Sequence, residues 1–221
     1  MAKYMSLIII VLVLTVFCSC TTGEPESSQV ESPANSEGQA VQDEAPVDES
    51  GKVVISFDFI SQAGYASNQF AVWICDADVN YVKTLYATRF TANGGYENRP
   101  DSIPLWVLES SLASMSKLEV NAITGATPKT GNLSYTWDLT DKDGNAVPSG
   151  EYSFFVEGSL RWKNRVLYSG KITVGGGSAN VQADAEFFYK SSASQPALTD
   201  DAPECSMIGA VTASFVPAGE R

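Results

Sequence analysis

The sequence predicts an all-β sandwich with one short helix, carried behind a secretion signal and an acidic stalk. Three observations predict it. From Lys52 onward, apolar and polar residues alternate at period two through most of the chain, as in strands with one buried face. These runs are rich in β-branched and aromatic residues and are separated by short Gly, Pro, Asn and Asp clusters, which are turn signals. A single stretch, residues 101–116, has helical spacing instead.

Residues 1–20, "MAKYMSLIIIVLVLTVFCSC", place one lysine before an apolar run from Leu7 to Phe17, then small residues and two cysteines. That is the layout of a secretory signal, with an apolar centre short for a membrane span. The ending Phe17-Cys18-Ser19-Cys20 resembles a bacterial lipobox, which makes Cys20 the lipidation site and the membrane a partner through that lipid. An uncleaved N-terminal anchor helix is the alternative, and both place the rest of the chain outside the cytoplasm. Thr21, rather than aspartate, follows Cys20, which favours the outer membrane in a cell with two. Residues 21–51 hold eight of the 26 acidic residues, no Lys or Arg, and almost no large apolar residue. A segment of this kind cannot bury enough surface to offset its chain entropy. It is expected to be a disordered acidic linker, about 30 residues long, with a root-mean-square reach of roughly 30 Å.

Residues 52–221 form the expected domain. In "VVISFDFI", Val53, Ile55, Phe57 and Phe59 share one face. In "QFAVWICD", Phe70, Val72 and Ile74 oppose Ala71, Trp73 and Cys75, and the polar break "DADVN" leads to "YVKTLYATRF" as a hairpin. In "DSIPLWVLESSLASMS", Leu105, Leu108, Leu112 and Met115 form the apolar stripe of a helix, with Pro104 early and Ser102 as its cap. This helix is expected to lie as a lid on the sandwich. Then come "NLSYTWDL", "EYSFFVEGSLRW", "VLYSGKITV", "NVQADAEFFYK" and "SMIGAVTASFV". The count suits an immunoglobulin-like sandwich of about seven to nine strands.

Composition removes several functions. The chain has no histidine, so Ser-His-Asp and Cys-His catalysis and helical His-pair zinc sites cannot form. Its net charge of −12 comes mostly from the stalk, and 18 acidic against 13 basic residues remain from Lys52 onward. No concentrated basic face offers the clustered cations that nucleic acid requires, so none is expected as a partner. After loss of Cys18 and lipidation of Cys20, Cys75 and Cys205 remain, either as a disulfide or as two separate buried thiols. "RWKNR" (161–165) reads as a solvated hairpin tip, and "GGGS" (175–178) lacks the Gly-Lys-Ser/Thr ending of a phosphate loop.

"WDLTDKDGNAVPSGEYSFFVEG", Trp137 to Gly158, resembles the immunoglobulin-like repeat of flagellar hook-capping proteins and secreted proteases. Its physical content is a hairpin: Asp143-Gly144 suits a turn needing positive φ, while Trp137 and Tyr152 supply buried area. Asp138, Asp141, Asp143 and Asn145 are oxygen ligands in type, but they lack the distal glutamate and spacing of an EF-hand loop, and no metal site is expected. The run of "FAVWICDADVNYVKTLY", "IPLWVLESS", "NAITGATPKTG" and "WDLTDKDGNAVPSGEYSFFVEG" is similar in order to the domain of unknown function 2271 family, described as predicted periplasmic. That resemblance covers nearly all of residues 52–217, with Cys75 where an acidic residue is usual, and implies no assigned activity.

"Asn121-Ala-Ile-Thr124-Gly125-Ala126-Thr127" is similar to the covalent flavin acceptor motif D-x-x-[ST]-G-A-[ST]. There a bacterial flavin transferase joins FMN through its phosphate to the last hydroxyl. The resemblance implies FMN at Thr127, with Thr124, Gly125 and Ala126 as recognition core and Asn121 in the aspartate's place. Tyr135 and Trp137 are the nearby aromatics expected to stack on the isoalloxazine. The structural alternative is a loop in which Gly125 takes positive φ and Pro128 ends the turn. Two functions remain. One is a redox accessory that passes electrons to a membrane redox protein and is not a self-contained enzyme. The other is a non-catalytic envelope binding or scaffold module. A hydrolytic enzyme is disfavoured because no general base pairs with a nucleophile.

Overall fold

The computed structural model describes residues 51–62, 68–159, 165–188 and 207–219. Ten strands in these residues build two sheets. β1 (Lys52–Phe59), β5 (Gly131–Trp137), β8 (Ala179–Gln182) and β10 (Thr212–Val216) form a four-stranded sheet in the order β5-β1-β10-β8. β2 (Gln69–Cys75), β3 (Tyr81–Thr88), β4 (Thr124–Gly125), β6 (Gly150–Ser159), β7 (Arg165–Val174) and β9 (Asp184–Phe188) form the other, in the order β4-β3-β2-β6-β7-β9. Every described pair is antiparallel except β3 with β4. The expected all-β sandwich is present.

The two inner faces make the main core. β1 contributes Val53, Ile55, Phe57 and Phe59, and its outward Asp58 is exposed, so the period-two reading of this strand holds residue by residue. Phe70, Val72 and Ile74 meet it from the opposite sheet, with Phe154 and Val156 of β6 and Val166 and Ile172 of β7. The strand count exceeds the seven to nine expected for two reasons. β4 is a two-residue edge strand, and "NVQADAEFF" splits into β8 and β9 on different sheets. The switch falls at Ala183, which is buried and donates its N–H to the Val211 carbonyl at 2.9 Å.

The second core lies outside the six-stranded sheet. All seven residues of β2 are buried, because Ala71, Trp73 and Cys75 face a helical cover rather than water. That cover contains turns at Thr91–Gly95 and Tyr96–Asn98 (α1), then α2 (Pro104–Glu109), a 3₁₀ turn at Leu112–Ser114 and α3 (Lys117–Ile123). The lid is therefore real, but it is several short pieces and its stripe is rotated from the one expected. Ile103, Trp106 and Leu112 are buried, whereas Leu108 is 75% exposed. The tryptophan wins the inward position because it buries more area and its indole N–H reaches Thr84 Oγ1 at 2.9 Å.

Ser102 does not cap α2. Ile103 takes a left-handed conformation, φ 44° and ψ 54°, and the Ser102 hydroxyl turns to Thr91 Oγ1 at 3.0 Å. The orphan N–H groups of Leu105 and Trp106 are instead accepted by the carboxylate of Glu157 on β6, at 3.4 and 2.9 Å. Glu157 also pairs with Arg165 of β7 at 2.8 Å, and that guanidinium lies 3.8 Å from the centre of the Phe188 ring. A charge from the sheet thus does what a local cap ordinarily does.

Candidate functional site

The candidate site is built where α3 ends. α3 starts with a capping box: Ser116 Oγ accepts from Glu119 N at 3.3 Å, and Glu119 Oε2 accepts from Ser116 N at 2.7 Å. Ser-x-x-Glu before Val120 is the sequence signal for such a start. Val120 is the buried anchor of the helix, and Asn121 lies exposed in its third-to-last position.

The acceptor-like segment therefore spans helix, strand and coil. Thr124 and Gly125 form β4 and pair with Ala87 and Thr88 at the edge of the six-stranded sheet. Residues 126–130 then cross to Gly131, where β5 begins at the edge of the opposite sheet. The chain bridges the open edge of the sandwich here.

Gly125 does not have positive φ, which corrects the expectation of a turn glycine. Its requirement is spatial. A Cβ at this position would sit 2.7 Å from Tyr86 Cε2. The Tyr86 hydroxyl donates to the Ala126 carbonyl at 2.6 Å. The phenol thus lies against one residue and ties down the next. Gly125→Ala should lower the unfolding free energy by about 1–3 kcal/mol, the range for overpacking a filled site, as read from the urea midpoint.

The two threonines are unlike each other. Thr124 Oγ1 is buried and has no hydrogen-bond partner among the described residues. Thr127 and Ala126 are exposed, and the Thr127 side chain has no hydrogen-bond partner among the described residues either. Pro128 follows, half-buried, and Thr130 Oγ1 accepts from Ser61 N at 3.0 Å. The crossing is fixed at both ends with Thr127 between.

Behind it runs an aromatic cluster. Tyr86 stacks on Phe70 with centroids 5.1 Å apart and meets Tyr135 at 4.9 Å. Tyr135 stacks in turn on Phe57 at 6.0 Å. Burial pushes both phenols up, with the nearby Arg89 charge opposing the shift at Tyr86. Trp137 is not available for stacking: it is fully buried, edge-on to Tyr152 at 4.9 Å, and its indole donates to the Thr140 carbonyl. Tyr86 is the residue that sequence reasoning missed. Register shifts between Val72 and Trp73 and between Ile74 and Cys75 interrupt the alternation of β3 and hide which of its residues face inward.

Beside the tyrosines lies a cleft of about 340 Å³ between β3, β5 and the last turn of α3. Leu85, Ala122 and Ile123 line one part of it, and Lys83, Thr136, Asp138 and Lys142 another. Lys83 Nζ donates to Asp138 Oδ1 at 2.8 Å. That ion pair and the Thr140 hydroxyl lower the Asp138 pKa although burial opposes the shift.

The other sequence candidates fall as follows. Asp141 Oδ1 accepts from the N–H groups of Asp143 and Asn145, each at 2.9 Å, and Asp143 pairs with Lys142. These oxygens hold the hairpin turn, in which Gly144 has φ 85°. The Tyr152 hydroxyl donates to the Pro148 carbonyl at 2.7 Å, in the manner of the tyrosine corner of immunoglobulin sandwiches. Cys75 is a free, buried thiol whose pKa is raised to about 12, first by burial and then by Glu109. Cys20, Cys205 and residues 161–164 lie outside the described residues, as do the signal and all of the stalk but Gly51.

Residues 50–191 match the model of a family described as "Predicted periplasmic protein (DUF2271)". No curated protein and no solved structure matches the chain. No helix among the described residues is long and apolar enough to cross a membrane.

Proposed function

The chain belongs to this family of predicted periplasmic proteins, and from that premise we propose that it is a lipid-anchored flavin carrier with FMN esterified to Thr127. The observation that carries the reading is the contrast between the two hydroxyls of one short motif. Thr127 is exposed on a crossing tied down on both sides, and Thr124 is enclosed. An enzyme that attaches a bulky phosphoester needs an accessible hydroxyl with small neighbours, and Gly125 and Ala126 supply those neighbours. The residues fit the group: Thr127 holds it, Gly125 and Ala126 leave the approach open, and Tyr86 fixes the backbone between them. When bound, the flavin supplies electron transfer, and the chain's own part is to tether and orient it. The lipid on Cys20 and the stalk would keep it within reach of a membrane redox protein.

The test is co-expression with a bacterial flavin transferase, followed by flavin fluorescence on a denaturing gel and the mass gain of FMN less one water. Wild type and Thr124→Val are expected to label, and Thr127→Val is expected to remain unlabelled. Thr124→Val should fold at least as well as wild type, because it removes an enclosed hydroxyl that has no partner among the described residues. Asn121→Asp restores the carboxylate of the acceptor motif on the exposed face of α3 and should increase labelling. Unlabelled wild type would leave the envelope binding module as the function.

A further inference from the structure

We propose that the cleft between β3, β5 and α3 is the seat of the isoalloxazine carried on Thr127, an inference that rests on Thr127 being the acceptor. The cleft of about 340 Å³ lies within the size range of small-molecule sites. Its position follows from the topology. Thr124 pairs with Ala87, and Lys83 lies four residues earlier on the same strand, roughly 13 Å away at the rise of an extended chain. Ala122 and Ile123 of the acceptor-like segment itself line the cleft, so a head group carried on Thr127 enters it by folding back along that segment. Between the attachment point and the cleft stands the Tyr86–Tyr135 pair, which closes the sandwich edge and leaves the head group to pass over it.

The lining matches the two ends of a flavin ring. Leu85, Ala122 and Ile123 present carbon to the dimethylbenzene end. Thr136 and Lys142 present donors to the carbonyl-bearing pyrimidine end, beside Lys83, whose ammonium already donates to Asp138 and Thr140. Lys142 Nζ donates to Asp143 at 2.8 Å and its side chain is 59% exposed. Each lysine is matched by a carboxylate, Lys83 by Asp138 and Lys142 by Asp143, so the polar end offers hydrogen bonds without a net positive charge.

Iodide quenching of the labelled, folded protein tests the seat. Flavin on wild type should be quenched several-fold less than free FMN. Ala122→Leu on the exposed side of α3, and separately Thr136→Leu on β5, fill the cleft without altering charge. Both should raise the quenching constant towards that of free FMN while the label on a denaturing gel stays the same. Wild-type flavin quenched as fully as free FMN would overturn the seat alone and leave Thr127 as acceptor. Protection that survives both substitutions would also overturn it, placing the ring elsewhere. No label on the gel would overturn the acceptor reading and the seat with it.

Discussion

Trp106→Ala is expected to lower the unfolding free energy by about 4 kcal/mol, near the middle of the range for deleting a buried aromatic side chain. Trp106 is fully buried in the outer core with Trp73, Ala87, Ile103 and Leu112. Ala71, Ala87 and Ala92 of that layer are too short to reach into the space. The indole is also the donor to Thr84 Oγ1, which the Tyr81 hydroxyl contacts at 2.8 Å. Trp106→Phe, which keeps most of the volume and loses that donor, should cost about 1–2 kcal/mol. Urea titrations followed by far-ultraviolet circular dichroism give both values. If Trp106→Ala cost no more than Trp106→Phe, the helical cover would contribute little to the stability of the sheet beneath.

Glu157 gives the second large effect, and a pH dependence with it. Its carboxylate is fully buried and receives two backbone N–H groups and the Arg165 guanidinium. Glu157→Leu leaves the guanidinium and both N–H groups unpaired and should cost about 3 kcal/mol at neutral pH. In the native protein, burial raises the Glu157 pKa to about 7, although the Trp106 N–H and the Arg165 charge work against the shift. The folded state then holds this proton more tightly than the unfolded chain, whose carboxyl titrates near pH 4.5. Between those two values the folded state binds more protons, so stability falls as pH rises from about 4.5 to about 7 and levels off above. Asp76, Asp138, Asp141 and Glu119 have lowered pKa values, and their contribution is lost on the acid side. Wild type should therefore be most stable near pH 4–5. The variant should lack the descent towards pH 7, a difference visible in urea midpoints measured across that interval.

The inner sandwich was legible because burial on one face writes itself into alternate residues. Val53, Ile55, Phe57 and Phe59 all face the core, and Trp137 and Tyr152 meet inside the hairpin whose motif announced them. The outer core was only half legible. The spacing of leucines gave α2 a stripe containing Leu108, and the larger gain from burying Trp106 turned the helix away from it. The cap was illegible for a different reason. Glu157 lies 51 residues from Trp106, and no local pattern encodes a partner at that distance. At the candidate site the order of residues singled out Thr127, yet the reason for Gly125 is the ring of Tyr86, which only tertiary contact reveals. α3 was missed although its Ser116 and Glu119 signal stood in plain sight.

β2 has no face turned to water. Phe70, Val72 and Ile74 belong to one core, and Ala71, Trp73 and Cys75 to the other. Each residue of the strand is therefore constrained by its own set of packed neighbours, and none is free to drift in the way that the outward residues of β1 are. Divergence at this strand has to proceed by paired changes, each with a compensating partner in the layer it faces. The stretch "QFAVWIC" should consequently be among the slowest parts of this chain to change over evolutionary time, without any part in attaching a ligand.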